Sequence, residues 1–132
     1  MYKPIEKRLR HLHDFTVRYR FYSKDEGGRA YPPYQGYRSD FWYDAAGPGQ
    51  LFMIWPEFED TAGEVIIEND HTVPETGTAR MWIIIPERRP MHYDNIRMGL
   101  KGYFMEGARR VAECEVIEIV GLKDNPVLSG SH

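Results

Sequence analysis

The alternation of apolar and polar side chains is sharpest between Asp14 and Tyr22. Phe15, Val17, Tyr19 and Phe21 fall on one parity, and Thr16, Arg18, Arg20 and Tyr22 on the other. Successive side chains of a strand point to opposite faces, so this spacing predicts a half-buried β-strand. A second strand, opened near Gly36, is expected over Arg38–Tyr43, with Tyr37, Phe41 and Tyr43 on one parity. Gly47-Pro48-Gly49 reads as a turn, and Gln50–Trp55 as a third strand. Pro56 ends that strand or places it at a sheet edge, because proline has no N–H to give to a ladder. Glu64–Glu68 is a short strand or strand end, and 69–78 is rich in turn residues. Ala79–Ile85 is β-branched and aromatic at its centre. Lys101–Glu106 and Arg110–Val120 are the last two strands, with a turn at Gly107-Ala108. Pro86 and Pro90 bracket a basic loop, and Tyr93–Arg97 fits no single pattern. Ile5, Leu9 and Leu12 allow either a short amphipathic helix or a flexible arm.

These elements divide the chain into an N-terminal arm (1–13), a β-domain (14–122) and a C-terminal tail (123–132). Six or seven short strands punctuated by Gly and Pro, with almost no helix, point to an all-β antiparallel sandwich or small barrel. At 132 residues one domain is the simplest organisation, and 42% hydrophobic residues suffice for a core without metal or disulfide staples. The single cysteine, Cys114, excludes an internal disulfide, and its place in an alternating run makes it a buried thiol. The charged N-terminus lacks a signal-peptide h-region, and no stretch approaches the ~20 apolar residues of a membrane span.

The net charge of -3 exerts no general pull on nucleic acid or acidic membranes. The charge is nevertheless uneven. Residues 1–38 hold nine Lys or Arg against four acids, 44–77 contain no Lys or Arg, and 80–110 turn basic again around Arg88-Arg89 and Arg109-Arg110. Either the strands interleave and neutralise one another, or the first and last segments form a basic patch.

The sequence contains no P-loop, so phosphate cradling by that route is excluded and no nucleotide cofactor is expected. His11 and His13 are two ligands where zinc needs three or four, so no metal is expected. Glu57, Glu59 and Asp60 have no base or nucleophile beside them and read as a solvated acidic turn. No arrangement of side chains suggests an enzyme. Alternation sends Trp42 opposite to Phe41 and Tyr43, so one of those sets must be exposed or covered by another element.

Asp25-Glu26-Gly27-Gly28-Arg29, followed by Gly36-Tyr37-Arg38-x-x-Phe41-x-Tyr43, resembles the third domain of bacterial elongation factor Tu. That family has an acidic-acidic-Gly-Gly-Arg loop leading into a Gly-Tyr-Arg-x-x-Phe strand. Near the other end, Gly99-Leu100-Lys101, Glu106-Gly107-Ala108-Arg109 and Val111 are similar to its Gly-Leu-Arg and Arg-Glu-Gly-Gly-Arg-Thr-Val turn. Trp82-Ile83-Ile84-Ile85 and Pro90 fall where it has a strand before a proline. The likeness spans about Asp14–Val120 and implies a small antiparallel six-stranded β-barrel, without the GTPase domain and in a bacterial cytoplasm. Gly28 and Gly107 are then expected in turns that a side chain would strain.

The departures bear on partners. The first turn continues with Ala30 and Tyr31 instead of His-Thr, Met105 replaces the arginine of the second, Ala112-Glu113-Cys114 replaces Gly-Ala-Gly, and Asp40 replaces a glutamine. In the family these turns touch the T-stem backbone of aminoacyl-tRNA, and a carboxylate is repelled by phosphate. The resemblance thus implies a retained barrel acting as a non-catalytic binding module for a protein partner, as a mimic, regulator or immunity-type protein. An RNA or tRNA module is the alternative. The residues expected to carry binding are Arg29, Tyr31, Tyr34, Arg38 and Arg109, with the Arg29 and Arg109 turns sharing one rim. Arg38 has a second reading, as a structural partner of Asp25 or Glu26.

Overall fold

A computed structural model of the chain describes residues 1–44 and 50–128. The turn expected at Gly47-Pro48-Gly49 lies outside the described residues. Six strands, β1 (Phe15–Phe21), β2 (Asp40–Tyr43), β3 (Ile54–Phe58), β4 (Thr76–Ile83), β5 (Lys101–Glu106) and β6 (Arg109–Ile119), form one sheet in the order β2-β5-β6-β1-β4-β3. Every pairing is antiparallel. The sheet curls into a half-barrel, and its two edges meet at one bridge, where Phe41 and Phe52 exchange backbone hydrogen bonds of 3.0 and 2.9 Å. The first and last strands are neighbours, at the centre of the sheet.

Alternation explains the core. Phe15, Val17, Tyr19 and Phe21 are all buried, and they meet Phe41, Tyr43, Phe58, Phe104 and Val111 inside the curl. Tyr19 packs edge-on to Phe58 and Phe21, with ring centroids 5.1 and 5.4 Å apart. Quadrupolar rings favour such T-shaped contacts. Cys114 lies in the same core, and burial pushes its thiol pKa well above the usual value.

Three stretches depart from the sequence reading. The third strand begins at Ile54 rather than Gln50 and runs through Pro56 to Phe58; of the two readings of Pro56 the edge one holds, because an edge strand tolerates a residue with no N–H. Glu64–Glu68 reduces to a bridge of Val65 to Glu59. The loop between the prolines is ordered as a 3-10 turn, Pro86–Arg88, followed by α2 (Arg89–His92).

The N-terminal arm contains a short helix, α1 (Ile5–Leu9), with Ile5 buried and Leu9 and Leu12 exposed. The arm lies on the outer face of β3 and β4. There Glu57 is fully buried, which corrects its reading as part of a solvated acidic turn. Tyr2 Oη and the Ile5 amide donate to Glu57 Oε2 at 2.7 and 2.8 Å, and Trp82 Nε1 donates to Oε1 at 3.0 Å. A carboxylate can be buried when its lone pairs are met this completely. The fully buried tryptophan is Trp82, covered by the rings of His11 and His13 at 5.6 and 6.1 Å.

A second internal polar cluster ties the tail to the sheet. Asp14 and Arg89 are 0% and 1% exposed and paired at 2.8 Å. Arg89 also donates to the carbonyls of Ile83 and Pro126, and Asn125 Nδ2 donates to Asp14 Oδ1 at 3.0 Å and to the Leu12 carbonyl at 2.8 Å. Arg89 thus belongs to the interior and not to a basic surface. Much of the remaining charge is neutralised across strands, as in the pairs Arg20–Glu113, Lys101–Glu115 and Arg80–Glu59. Among the described residues no helix is long and apolar enough to cross a membrane.

Gly28 and Gly107 are constrained for different reasons. A Cβ on Gly28 would lie 2.3 Å from the Tyr22 carbonyl oxygen, whereas Gly107 has open space but φ of +62°. The positive φ of the first turn belongs to Gly27. Replacing Gly28 or Gly107 with valine is expected to cost on the order of 1–3 kcal/mol each, with Gly28 the larger, since its obstacle is backbone. Urea unfolding of both variants checks this, and unchanged midpoints would refute it.

Candidate functional site

The Arg29 and Arg109 turns lie at the same end of the sheet, because β1 and β5 both pair with β6. They are joined by Glu106. The Arg109 guanidinium donates to Glu106 Oε1 at 2.8 Å, while Arg29 Nη1 and Tyr37 Oη both donate to Oε2. Burial works against ionising Glu106, but the hydrogen bonds from Tyr37, Arg29 and Arg109 outweigh it and hold its carboxyl below the usual range. Burial likewise works against the Arg29 charge, and Glu106 more than offsets it. For Tyr37, burial and then Glu106 both push the phenol pKa up, so it stays a neutral donor. Arg29 also stacks over the Tyr37 ring at 5.1 Å and donates from Nε to the Tyr31 carbonyl at 3.0 Å.

This cluster fixes the start of the loop that follows. Its far side is held by Gln35, which is buried and exchanges hydrogen bonds of 2.9 Å with the backbone of Phe58 while donating to the Ile66 carbonyl at 2.8 Å. The Val73 amide donates to the Pro33 carbonyl at 2.8 Å, and Tyr34 forms a bridge with Thr72. Between these anchors Tyr31 and Tyr34 stand out, 74% and 54% exposed. Together with Arg29, Pro32, Pro33 and Thr72 they line an open groove of about 510 Å³.

Of the five expected site residues, Arg29, Tyr31 and Tyr34 are brought together in this groove. Arg109 is adjacent through Glu106. Arg38 is elsewhere: its guanidinium lies over the Trp55 ring at 4.6 Å. Its alternative role with Glu26 is taken by Arg20, which bonds both Glu26 oxygens at 3.0 Å. Trp42 faces outward, against Tyr103 at 5.8 Å, with Arg110 over both rings.

Sequence reasoning missed Glu106 as the link. The signal was available, since Glu106 and Arg109 flank the two-residue turn Gly107-Ala108 and are therefore directly cross-strand. Of the two histidines weighed as ligands, His13 is buried with Nε2 2.7 Å from Thr16 Oγ1, and the His11 ring lies tilted over Trp82 at 5.6 Å. No group of three or more His, Cys, Asp or Glu that could hold a metal exists among the described residues. No family model matches this chain, and no curated protein matches it.

Proposed function

We propose that this chain is a non-catalytic binding module, resembling the third domain of elongation factor Tu, that engages a protein partner through the rim at Arg29, Tyr31, Tyr34 and Arg109. One observation carries the reading: two highly exposed tyrosines flank a groove on a loop that is anchored at both ends. Tyr and Arg are the side chains that most often dominate protein interfaces. A loop already held in place loses little conformational entropy on binding. The motifs at 25–29, 36–43 and 99–111 support the family resemblance. Such a surface would act by competing for the partners of the larger factor, or as a regulator or immunity-type protein.

A protein is favoured over RNA because Glu106 draws on both rim arginines, leaving less positive charge for phosphates. The test is affinity capture from a bacterial lysate, followed by measurements on the recovered complex. The double variant Tyr31→Ala/Tyr34→Ala is expected to lose at least about tenfold in affinity with an unchanged melting temperature. Arg29→Ala and Arg109→Ala weaken the loop as well as the surface, so they are secondary probes. Raising salt from about 50 to about 500 mM is expected to change Kd by less than about threefold. A captured RNA whose affinity falls steeply with salt would replace the protein reading with an RNA one. Normal binding by the tyrosine double variant would remove the rim as the site.

A further inference from the structure

The rim groove does not end at Tyr34. Thr72, which bridges to Tyr34, also lines a second open groove of about 620 Å³ within 60–74. Its apolar side is formed by Val65, Ile66 and the buried Val73, with Ile67 42% exposed beside them. Asp60 and Glu68 stand in the same lining. The two grooves meet at Thr72 and make one surface, aromatic at one end and aliphatic at the other. Exposed apolar surface of this kind, rimmed by polar residues, marks a site of interaction.

The charge of this surface is one-sided. Residues 44–77 contain no Lys or Arg, and the cations that reach it from elsewhere are engaged. Arg80 bonds Glu59 and the Gly63 carbonyl, and Arg29 bonds Glu106. His71 and the Met1 ammonium attend Asp70. The N-terminal arm passes alongside, its Tyr2 amide on the Ile67 carbonyl at 2.7 Å, but Lys3 forms no ion pair there. Asp60 accepts only the amides of Ala62 and Glu64. Glu68 is exposed and has no partner among the described residues. Aliphatic surface beside uncompensated carboxylates matches a lysine or arginine, whose stem covers apolar atoms while its head reaches a charge. Exposed tyrosine rings attract the same cations.

We propose that the joined grooves bind an extended, lysine- or arginine-bearing peptide segment of the partner. Its apolar side chains lie against Val65, Ile67 and Val73, and its cations meet Asp60, Glu68 and the Tyr31 and Tyr34 rings. This rests on the reading of the rim as a protein-binding surface and names the chemistry of what the rim binds. Charge here selects the partner more than it holds it, because exposed ion pairs are weak and complementarity acts mainly on specificity and encounter rate. That agrees with the weak salt dependence expected of the rim.

The test titrates the capped peptide Lys-Val-Lys-Pro-Lys-Val-Lys and its charge-reversed counterpart Glu-Val-Glu-Pro-Glu-Val-Glu into the ¹⁵N-labelled full chain. Saturable amide shifts at Tyr34, Glu68, His71 and Thr72 are expected with the basic peptide. The acidic peptide is expected to bind at least about tenfold more weakly, because like charges oppose it. Glu68→Lys alters an exposed side chain with no partner, so the fold should be unchanged. It is expected to weaken the basic peptide about fivefold and to narrow the gap between the two peptides. Tyr31→Ala/Tyr34→Ala should weaken the basic peptide by at least about threefold. No saturable shift up to about 5 mM, equal affinity for the two peptides, or binding indifferent to Glu68→Lys or to the tyrosine double variant would each overturn the proposal. A partner captured from lysate that loses affinity with the tyrosine double variant but not with Glu68→Lys would overturn it too, while leaving the rim reading intact.

Discussion

Replacing Arg89 with methionine is expected to cost about 3–5 kcal/mol, because it leaves the Asp14 carboxylate in the interior without its cation. For a domain whose whole stability is about 5–15 kcal/mol this is a large fraction. Asp14 would keep the Ile83 amide at 2.8 Å and Asn125 Nδ2 at 3.0 Å. Those two donors soften the loss but do not supply a positive charge. The effect should reach beyond one side chain. Asp14 also receives backbone hydrogen bonds from Val120 and Leu122, and Arg89 holds the Pro126 carbonyl. The variant should therefore expose the tail and α2 to hydrogen exchange before the rest of the sheet. Removing both charges in Asp14→Asn/Arg89→Met is expected to recover part of the loss. Urea unfolding of the two single variants and the double completes the cycle. A loss below about 1 kcal/mol for Arg89→Met would sink the argument that this pair secures the interior.

Stability is expected to fall steeply as pH drops from the usual histidine pKa of 6.5 toward 4. His13 and His92 are 8% and 0% exposed, and burial lowers the pKa of each to about 4. The unfolded chain binds a proton on each near 6.5, whereas the folded chain stays neutral until about 4. The sign follows directly: the folded pKa values are depressed, so the contribution is complete above 6.5 and is lost as pH falls through this window. The slope reaches up to about 1.4 kcal/mol per pH unit for each histidine, and the total is on the order of 1–3 kcal/mol per site. Glu106, also held low, extends the decline into the carboxylate range. Urea midpoints across the window measure it. Replacing His92 with phenylalanine should flatten roughly half of the slope. A stability that stays level from neutral pH down to about 5 would show that neither imidazole is held neutral by the fold.

The parts of the fold that were legible in the sequence are those set by neighbours along the chain. Strand β5 runs over Lys101–Glu106 as expected, and the core parity of β1 follows its alternation. The start of β3 was misplaced, and the choice between Pro56 ending the strand and Pro56 edging the sheet stayed open, because edge position is a property of the whole sheet. The shared rim of Arg29 and Arg109 followed from pairing the first and last strands. The neutralising Glu106 did not, since a charge's partner is chosen by packing. Trp42 pointing away from Phe41 and Tyr43 was fixed by the pleat. What covers it was not.

By itself the sequence determined an antiparallel β protein, the Gly107-Ala108 turn and the parity of the β1 core face, because backbone sterics and a period of two act over a few residues. Tertiary structure alone decided which charges are internal. Arg89 sits in a run that reads as a basic loop, and Glu57 in one that reads as a solvated acidic turn. Arg89 meets Asp14 from 75 residues away, and Glu57 meets Tyr2 from 55 residues away. A charged side chain is tolerated inside only when partners satisfy it, and which distant segments supply those partners is settled by how the sheet curls and what its ends cover.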